Sequence, residues 1–169
     1  LRYTRYRNEK GEQFFQEACA KGWEGLIAKD AQSPYKHDRS QSWLKFKCEK
    51  RQELIICGYT APEGSRKYFG ALIAGYYDNG ILKDAGKVGT GYDEKTLKKV
   101  HEKMQPLERR DSPFDETTTK YRNTTWLDPK LVGEFRFSEW TADHKLRHPS
   151  FLGLREDKKA KNVQKEEAK

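Results

Sequence analysis

The stretch Phe69-Gly70-Ala71-Leu72-Ile73-Ala74-Gly75-Tyr76-Tyr77-Asp78-Asn79-Gly80-Ile81-Leu82-Lys83-Asp84-Ala85-Gly86-Lys87-Val88 decides the reading of the fold. Phe69 to Tyr77 and Ile81 to Val88 are strand-length runs. Asp78-Asn79-Gly80 stands between them, and Asn and Gly both accept the positive φ of tight hairpin turns. On the N-terminal side, Glu53 to Tyr59 reads as a buried strand and Pro62 to Gly64 as a turn. On the C-terminal side, Asp93 offers an N-cap to a helix with the core face Leu97, Val100, Met104 and Leu107. Arg109 to Asp128 reads as a long, weakly patterned connection. Leu131 to Trp140 then alternates: Leu131, Gly133, Phe135 and Phe137 share one face, and Glu134, Arg136 and Ser138 the other. Phe151 to Leu154 is a last short strand, and the charged segment from Lys158 onward reads as a frayed, helix-prone tail.

Five short strands with one helix inserted before the fourth make the element list of an OB-type, five-stranded Greek-key barrel. The expected class is mainly β with short helices. Such barrels commonly bind nucleic acid on one face. Ahead of the barrel, Glu12 to Ala20 reads as a helix with Phe14, Phe15, Ala18 and Cys19 on one side and Gly22 as its stop signal. Leu26 to Ala28 is a short strand. Ala31 to Ser42 is a loop rich in Ser, Pro, Asp and Gln, and Trp43 to Lys47 is a second short strand.

Composition narrows the classes. The chain has 169 residues, 36% charged and 34% hydrophobic, with a mean hydropathy of -1.09. Aromatic residues at 12% argue against disorder, because rings supply the burial that offsets ordering entropy. With 34 basic and 26 acidic side chains the net charge is +8, which suits a polyanionic partner. The excess is uneven: residues 1–50 carry 11 basic and 7 acidic groups, and residues 51–158 carry 19 and 17. No apolar run approaches the roughly 20 residues that span a bilayer, so no membrane partner is expected. No signal peptide is expected at Leu1 to Lys10. The three cysteines, Cys19, Cys48 and Cys57, suggest neither a metal pair nor a disulfide framework, so a reducing, cytoplasmic setting is expected.

Four clusters could carry chemistry. Glu24-Gly25-Leu26-Ile27-Ala28-Lys29 places a carboxylate before a strand and a lysine after it; a solvated helix-to-strand turn would read the same. In Trp43-Leu44-Lys45-Phe46-Lys47, alternation sets Lys45 and Lys47 on one face. Their mutual repulsion would be relieved by a bound phosphate, and an exposed edge strand blunted by lysines is the plainer alternative. Gly64-Ser65-Arg66 could let Arg66 grip a phosphate, or be a simple turn. Arg147 to Lys158 ends in Arg155-Glu156-Asp157-Lys158, otherwise a mixed-charge strand end. His37, His101, His144 and His148 show no metal-ligand spacing.

Taken in order, these pieces resemble the ATP-dependent DNA ligases, in particular the ligase domain of the bacterial end-joining ligase D. Glu24 to Lys29 resembles the family's fourth nucleotidyltransferase motif and Trp43 to Lys47 its fifth. Gly58-Tyr59-Thr60, Gly64-Ser65-Arg66 and Phe69 to Leu72 resemble the opening of its OB domain. Gly86 to Gly91 and Glu139-Trp140-Thr141 also match, and Leu146 to Lys158 resembles the sixth motif. The resemblance runs from Leu1 to about Lys158.

The resemblance implies a parent enzyme that seals nicked or broken duplex DNA, in repair and end joining, through enzyme-AMP and DNA-adenylate intermediates. It implies ATP and Mg2+ (or Mn2+) as cofactors. Glu24 would hold the metal, Lys45 and Lys47 would contact the nucleotide α-phosphate, and Lys29 would share that pocket. Arg155, Asp157 and Lys158 would orient the β- and γ-phosphates in the first step only. Arg66 would touch DNA when the barrel later swings away. It further implies residues 1–50 as the end of an adenylation domain, 51–158 as an OB domain and 159–169 as a tail. A monomer associated with the bacterial nucleoid is expected, with end-joining factors as further partners. The family's nucleophile lies in a Lys-x-Asp-Gly motif that this sequence lacks; Lys83-Asp84-Ala85-Gly86 only approaches it. The chain therefore reads as an excised piece that should not self-adenylate. Competing readings are a stand-alone OB module for nucleic acid, a relative of RNA-capping guanylyltransferases, and an interaction scaffold.

Overall fold

The computed structural model describes residues 6–38, 40–115 and 121–165. The chain divides into two compact units, residues 1–49 and 50–169.

In the first unit, helix α1 (Gly11–Ala20) precedes strands β1 (Gly25–Lys29) and β2 (Trp43–Lys47), which pair antiparallel. The apolar face of α1 works as expected. Phe14 meets Trp23 edge-on at 6.0 Å, Phe15 meets Phe46 at 6.1 Å, and Ala18 is fully buried. Edge-to-face ring pairs of this kind add to simple area burial. Cys19 and Cys48 form a disulfide, with their Cα atoms 5.3 Å apart. This corrects the expectation of no disulfide. The sequence separation of 29 carries no signal of the bond, because α1 packing on the hairpin brings the two thiols together. Cys57 alone stays free, buried in the second unit.

The second unit contains β3 (Lys50–Thr60), β4 (Leu72–Asp78), β5 (Ile81–Val88), α2 (Glu94–Met104), β6 (Glu108–Arg109), β7 (Thr124–Phe137), β8 (Glu139–Trp140), β9 (Leu146–Arg147) and β10 (Ser150–Leu154). The main sheet runs β10-β7-β3-β4-β5, with β6 added to β7, while β8 and β9 pair separately. All of these pairs are antiparallel. The two ends of the path approach each other beyond β5. There Phe151 N–H donates to the Thr90 carbonyl at 3.0 Å, and the Thr90 hydroxyl donates to the Pro149 carbonyl at 2.9 Å. The curved sheet thus closes toward the OB barrel expected from the element list. Leu54, Ile56, Phe69, Leu72, Phe135 and Phe151 fill it, each at most 2% exposed. Burying such a side chain is worth roughly 1.5–3 kcal/mol.

Local signals hold where they depend on neighbours in sequence. Asn79 and Gly80 take φ of 49° and 82°, as the tight turn requires. The Asp93 carboxylate caps α2 by accepting from Thr96 N–H at 2.7 Å. Differences arise at the ends of elements. The α-helix stops at Met104 because Pro106 has no N–H to continue it, and Leu107 lies in the 3-10 turn that follows. Strand β4 starts at Leu72 rather than Phe69, because Arg66 Nη1 grips the Gly70 carbonyl and bends the approach. Strand β7 begins at Thr124, inside the stretch read as a connection, because Thr124, Thr125 and Trp126 pair with Thr60, Tyr59 and Gly58. The middle of that stretch, 116–120, lies outside the described residues.

The tail is docked as far as it is described, not frayed. Ala160 and Val163 are buried, Tyr77 N–H donates to the Val163 carbonyl at 2.8 Å, and Gln52 Nε2 donates to the Gln164 carbonyl at 2.8 Å. Residues 166–169 lie outside the described residues. Among the described residues no helix is long and apolar enough to cross a membrane.

Candidate active site

In the first unit, the register of β1 and β2 sets Gly25 opposite Lys47, Ile27 opposite Lys45, and Lys29 opposite Trp43. Directly opposed residues share a face of an antiparallel pair. Lys29, Lys45 and Lys47 therefore emerge on the same side, while Leu26, Ala28, Leu44 and Phe46 take the other. Gly25 makes the close start of the hairpin possible: its φ is 151°, and a Cβ there would run into the Phe46 carbonyl oxygen. The preceding Glu24 reaches over this face, with Oε1 2.7 Å from Lys45 Nζ. Lys29 Nζ lies 4.0 Å from the centroid of the Trp43 ring, a cation-π contact. Lys47 is exposed. Three ammonium groups and one carboxylate on a single face can bind a polyphosphate and share a divalent cation with it.

In the second unit, Arg155 follows β10, and its backbone N–H donates to the Val132 carbonyl at 2.8 Å. Its guanidinium forks onto Asp157, with Nε to Oδ1 at 3.0 Å and Nη2 to Oδ2 at 2.9 Å. Its Nη1 lies 3.0 Å from Glu53 Oε1 and 3.7 Å from Glu134 Oε2. Lys158 Nζ lies 3.3 Å from Glu53 Oε2. The hydrogen bonds from Arg155 hold the Asp157 carboxyl down at about 2, and those to Asp157 raise the Arg155 guanidinium further. The Arg155 and Lys158 side chains lie on the outer surface of the barrel, at 32% and 44% exposure. The expected cations thus cluster, together with two carboxylates that the sequence does not single out. Glu53 and Glu134 face each other across the β3-β7 ladder. That register is the only signal of their pairing, and no local pattern carries it.

Arg66 has different partners: its Nη1 donates to the carbonyls of Gly70 and Gly89. The near-motif at Lys83 to Gly86 is structural. Asp84 is 6% exposed and accepts from Tyr121 Oη and Gly86 N–H, with Lys145 Nζ also on its carboxylate. Burial pushes the Cys57 thiol well above its ordinary range, which leaves it an inert core residue. Among the described residues no cluster of three or more His, Cys, Asp and Glu side chains could hold a metal ion by itself.

Two family descriptions match this chain: the ATP dependent DNA ligase C terminal region over residues 65–158, and the ATP dependent DNA ligase domain over residues 2–47. The chain belongs to the ATP-dependent DNA ligase family. It is 39% identical over 168 residues to the multifunctional non-homologous end joining protein LigD of Pseudomonas aeruginosa, covering 96% of this chain and 20% of that protein. It is 42% identical over 155 residues to the corresponding DNA repair protein of Mycobacterium tuberculosis, covering 88% of this chain and 20% of that protein. Among solved structures, the ligase domain of M. tuberculosis LigD superposes with a TM-score of 0.68 at 42% identity, covering 92% of this chain and 52% of that one. A mycobacterial DNA ligase D complexed with ATP superposes with a TM-score of 0.64 at 40% identity, covering 92% and 51%. The chain thus spans about a fifth of the length of these curated relatives and about half of the solved ligase chains.

Proposed function

We propose that this chain is the C-terminal part of an ATP-dependent DNA ligase of the end-joining type. Its first unit would be the end of the adenylation domain and its second the OB domain. The parent enzyme would seal nicked or broken duplex DNA at the nucleoid, alone or with end-joining factors. The observation that carries the reading is the common face of Lys29, Lys45 and Lys47 beside Glu24, in a chain of this family. That face fits a nucleotide. Its three cations match phosphate charge, and the exposed Glu24 carboxylate already has a cation at hydrogen-bond distance. One carboxylate is what Mg2+ takes from a protein when phosphates and water complete its shell.

Catalysis of phosphoryl and nucleotidyl transfer rests on positioning and charge neutralisation. Lys45 and Lys47 would hold the α-phosphate from one side of the hairpin, and Lys29 would close the pocket beside them. Glu24 would bind the metal, which supplies charge neutralisation at the phosphates. Arg155 and Lys158 would take the outer phosphates in the first step, with Asp157 fixing the plane of the Arg155 guanidinium. Arg66 would serve the DNA-bound state through the guanidinium donors that its two carbonyl contacts leave over. The upstream nucleophile motif is missing, so the 169-residue chain incubated with labelled ATP and Mg2+ should form no covalent AMP adduct. A covalent adduct would overturn this assignment.

A further inference from the structure

All three nitrogens of the Arg155 guanidinium already face carboxylate oxygens: Nε and Nη2 on Asp157, and Nη1 on Glu53 with Glu134 behind it. Glu53 spans both cations of the motif, with Oε1 on Arg155 and Oε2 on Lys158. A phosphate with two free oxygens would bridge Arg155 and Lys158 in the same manner. The underlying ladder gives this contact a further meaning. Glu53 and Glu134 are directly opposed across β3 and β7, a like-charge pairing that disfavours the sheet unless a cation sits over it. Arg155 is that cation. Both carboxylates are partly shielded, at 21% and 30% side-chain exposure, so water screens them less than it would a free surface pair.

We propose that Glu53 and Glu134 form an internal dock that stands in for the nucleotide's phosphates, holding Arg155 and Lys158 until a polyphosphate displaces it. The dock rests on the reading of Arg155 and Lys158 as phosphate ligands. Engaging a polyphosphate requires two exchanges. The cations must leave Glu53, and the opposed glutamates must then face each other without their shared counter-ion. The dock therefore sets a threshold. A ligand with one weakly placed phosphate displaces it poorly, and a chain of phosphates displaces it well. Glu53 and Glu134 tune affinity and discrimination without touching the reacting atoms.

The test uses the 169-residue chain and inorganic tripolyphosphate. In nitrogen-edited NMR, the free chain should show a resolved Arg155 Nη1–H signal, from the nitrogen that faces Glu53 and Glu134, which moves as tripolyphosphate is added. An Arg155 Nη1–H signal averaged with those of exposed arginines in the unmodified chain would overturn the dock, whatever the variants do. By calorimetry, the double variant Glu53→Gln/Glu134→Gln should bind tripolyphosphate about fivefold more tightly or better, the scale of a competing network of partly exposed ion pairs. Unchanged or weaker binding by that variant would overturn the dock. Arg155→Ala/Lys158→Ala should lose affinity. If it does so while the glutamate variant shows no gain, the phosphate-ligand reading stands and the dock alone fails. If it binds as tightly as the unmodified chain, the phosphate-ligand reading fails and the dock falls with it.

Discussion

At the scale of single residues, Arg155 and Asp157 show how a short loop holds its own geometry. The carboxyl of Asp157 is lowered to about 2 by the Arg155 fork. A lowered carboxylate contributes above its ordinary value, near 3.9, and loses that contribution as pH falls through its folded value. The Arg155–Asp157 bond should therefore be intact at pH 4 and lost as pH falls toward 2. Carboxyl-carbon NMR of Asp157 against pH measures this directly, and a midpoint near 4 would contradict it. Asp84 is a core case. Its side chain is 2% exposed, and it organises Lys145, Tyr121 and the Gly86 amide. Asp84→Asn removes the charge that Lys145 answers, and should cost about 3 kcal/mol in a urea unfolding series. The same residue lies in the Lys83-Asp84-Ala85-Gly86 stretch that only approaches the nucleophile motif, and its partners give it a structural place in the second unit.

At the scale of elements, the first unit depends on its cross-link. It buries little: Ile27, Leu44 and Phe46 are 55%, 52% and 48% exposed. Phe14 and Phe15 are half-covered by Trp23 and Phe46. A disulfide closing a loop of 29 residues restricts the unfolded chain by about 3–4 kcal/mol in the chain-entropy model. Reduction, or Cys19→Ser, should therefore speed amide hydrogen exchange in β1 and β2 strongly, and leave β3, β4 and β7 unchanged. Equal protection in both redox states would show that packing alone holds the hairpin. The elements legible in the sequence are those with local causes: the Asn79-Gly80 turn, the Asp93 cap and the alternation that keeps Lys45 and Lys47 together. The first half of β7 is not legible. Asp128 and Pro129 break its alternation, and its strand character comes from pairing with β3 more than 60 residues away.

At the scale of the molecule, charge is distributed unevenly, and this bears on DNA. Residues 51–158 hold 19 basic and 17 acidic groups, and among the described residues many of these pair with one another. The opening 50 residues hold 11 basic groups against 7 acidic. A chain like this should release few counterions. We expect weak affinity for nicked duplex, preferred over single strands, with a log–log salt slope of about -2 to -4. Fluorescence anisotropy at several salt concentrations checks the slope. A preference for single strands would favour a free OB binding module instead.

By itself, the sequence determined the chain order of the main barrel strands β3, β4, β5, β7 and β10, the place of α2 between β5 and β7, the hairpin turn and the side of β2 on which its lysines stand. Each follows from backbone preference or from side-chain alternation within a few residues. Only the tertiary structure decided that Cys19 meets Cys48, that the segment 160–165 docks on the barrel, and that Glu53 and Glu134 share Arg155. Those contacts join residues far apart along the chain. They exist because burial of apolar faces sets the packing and the strand register, and these decide which distant side chains meet.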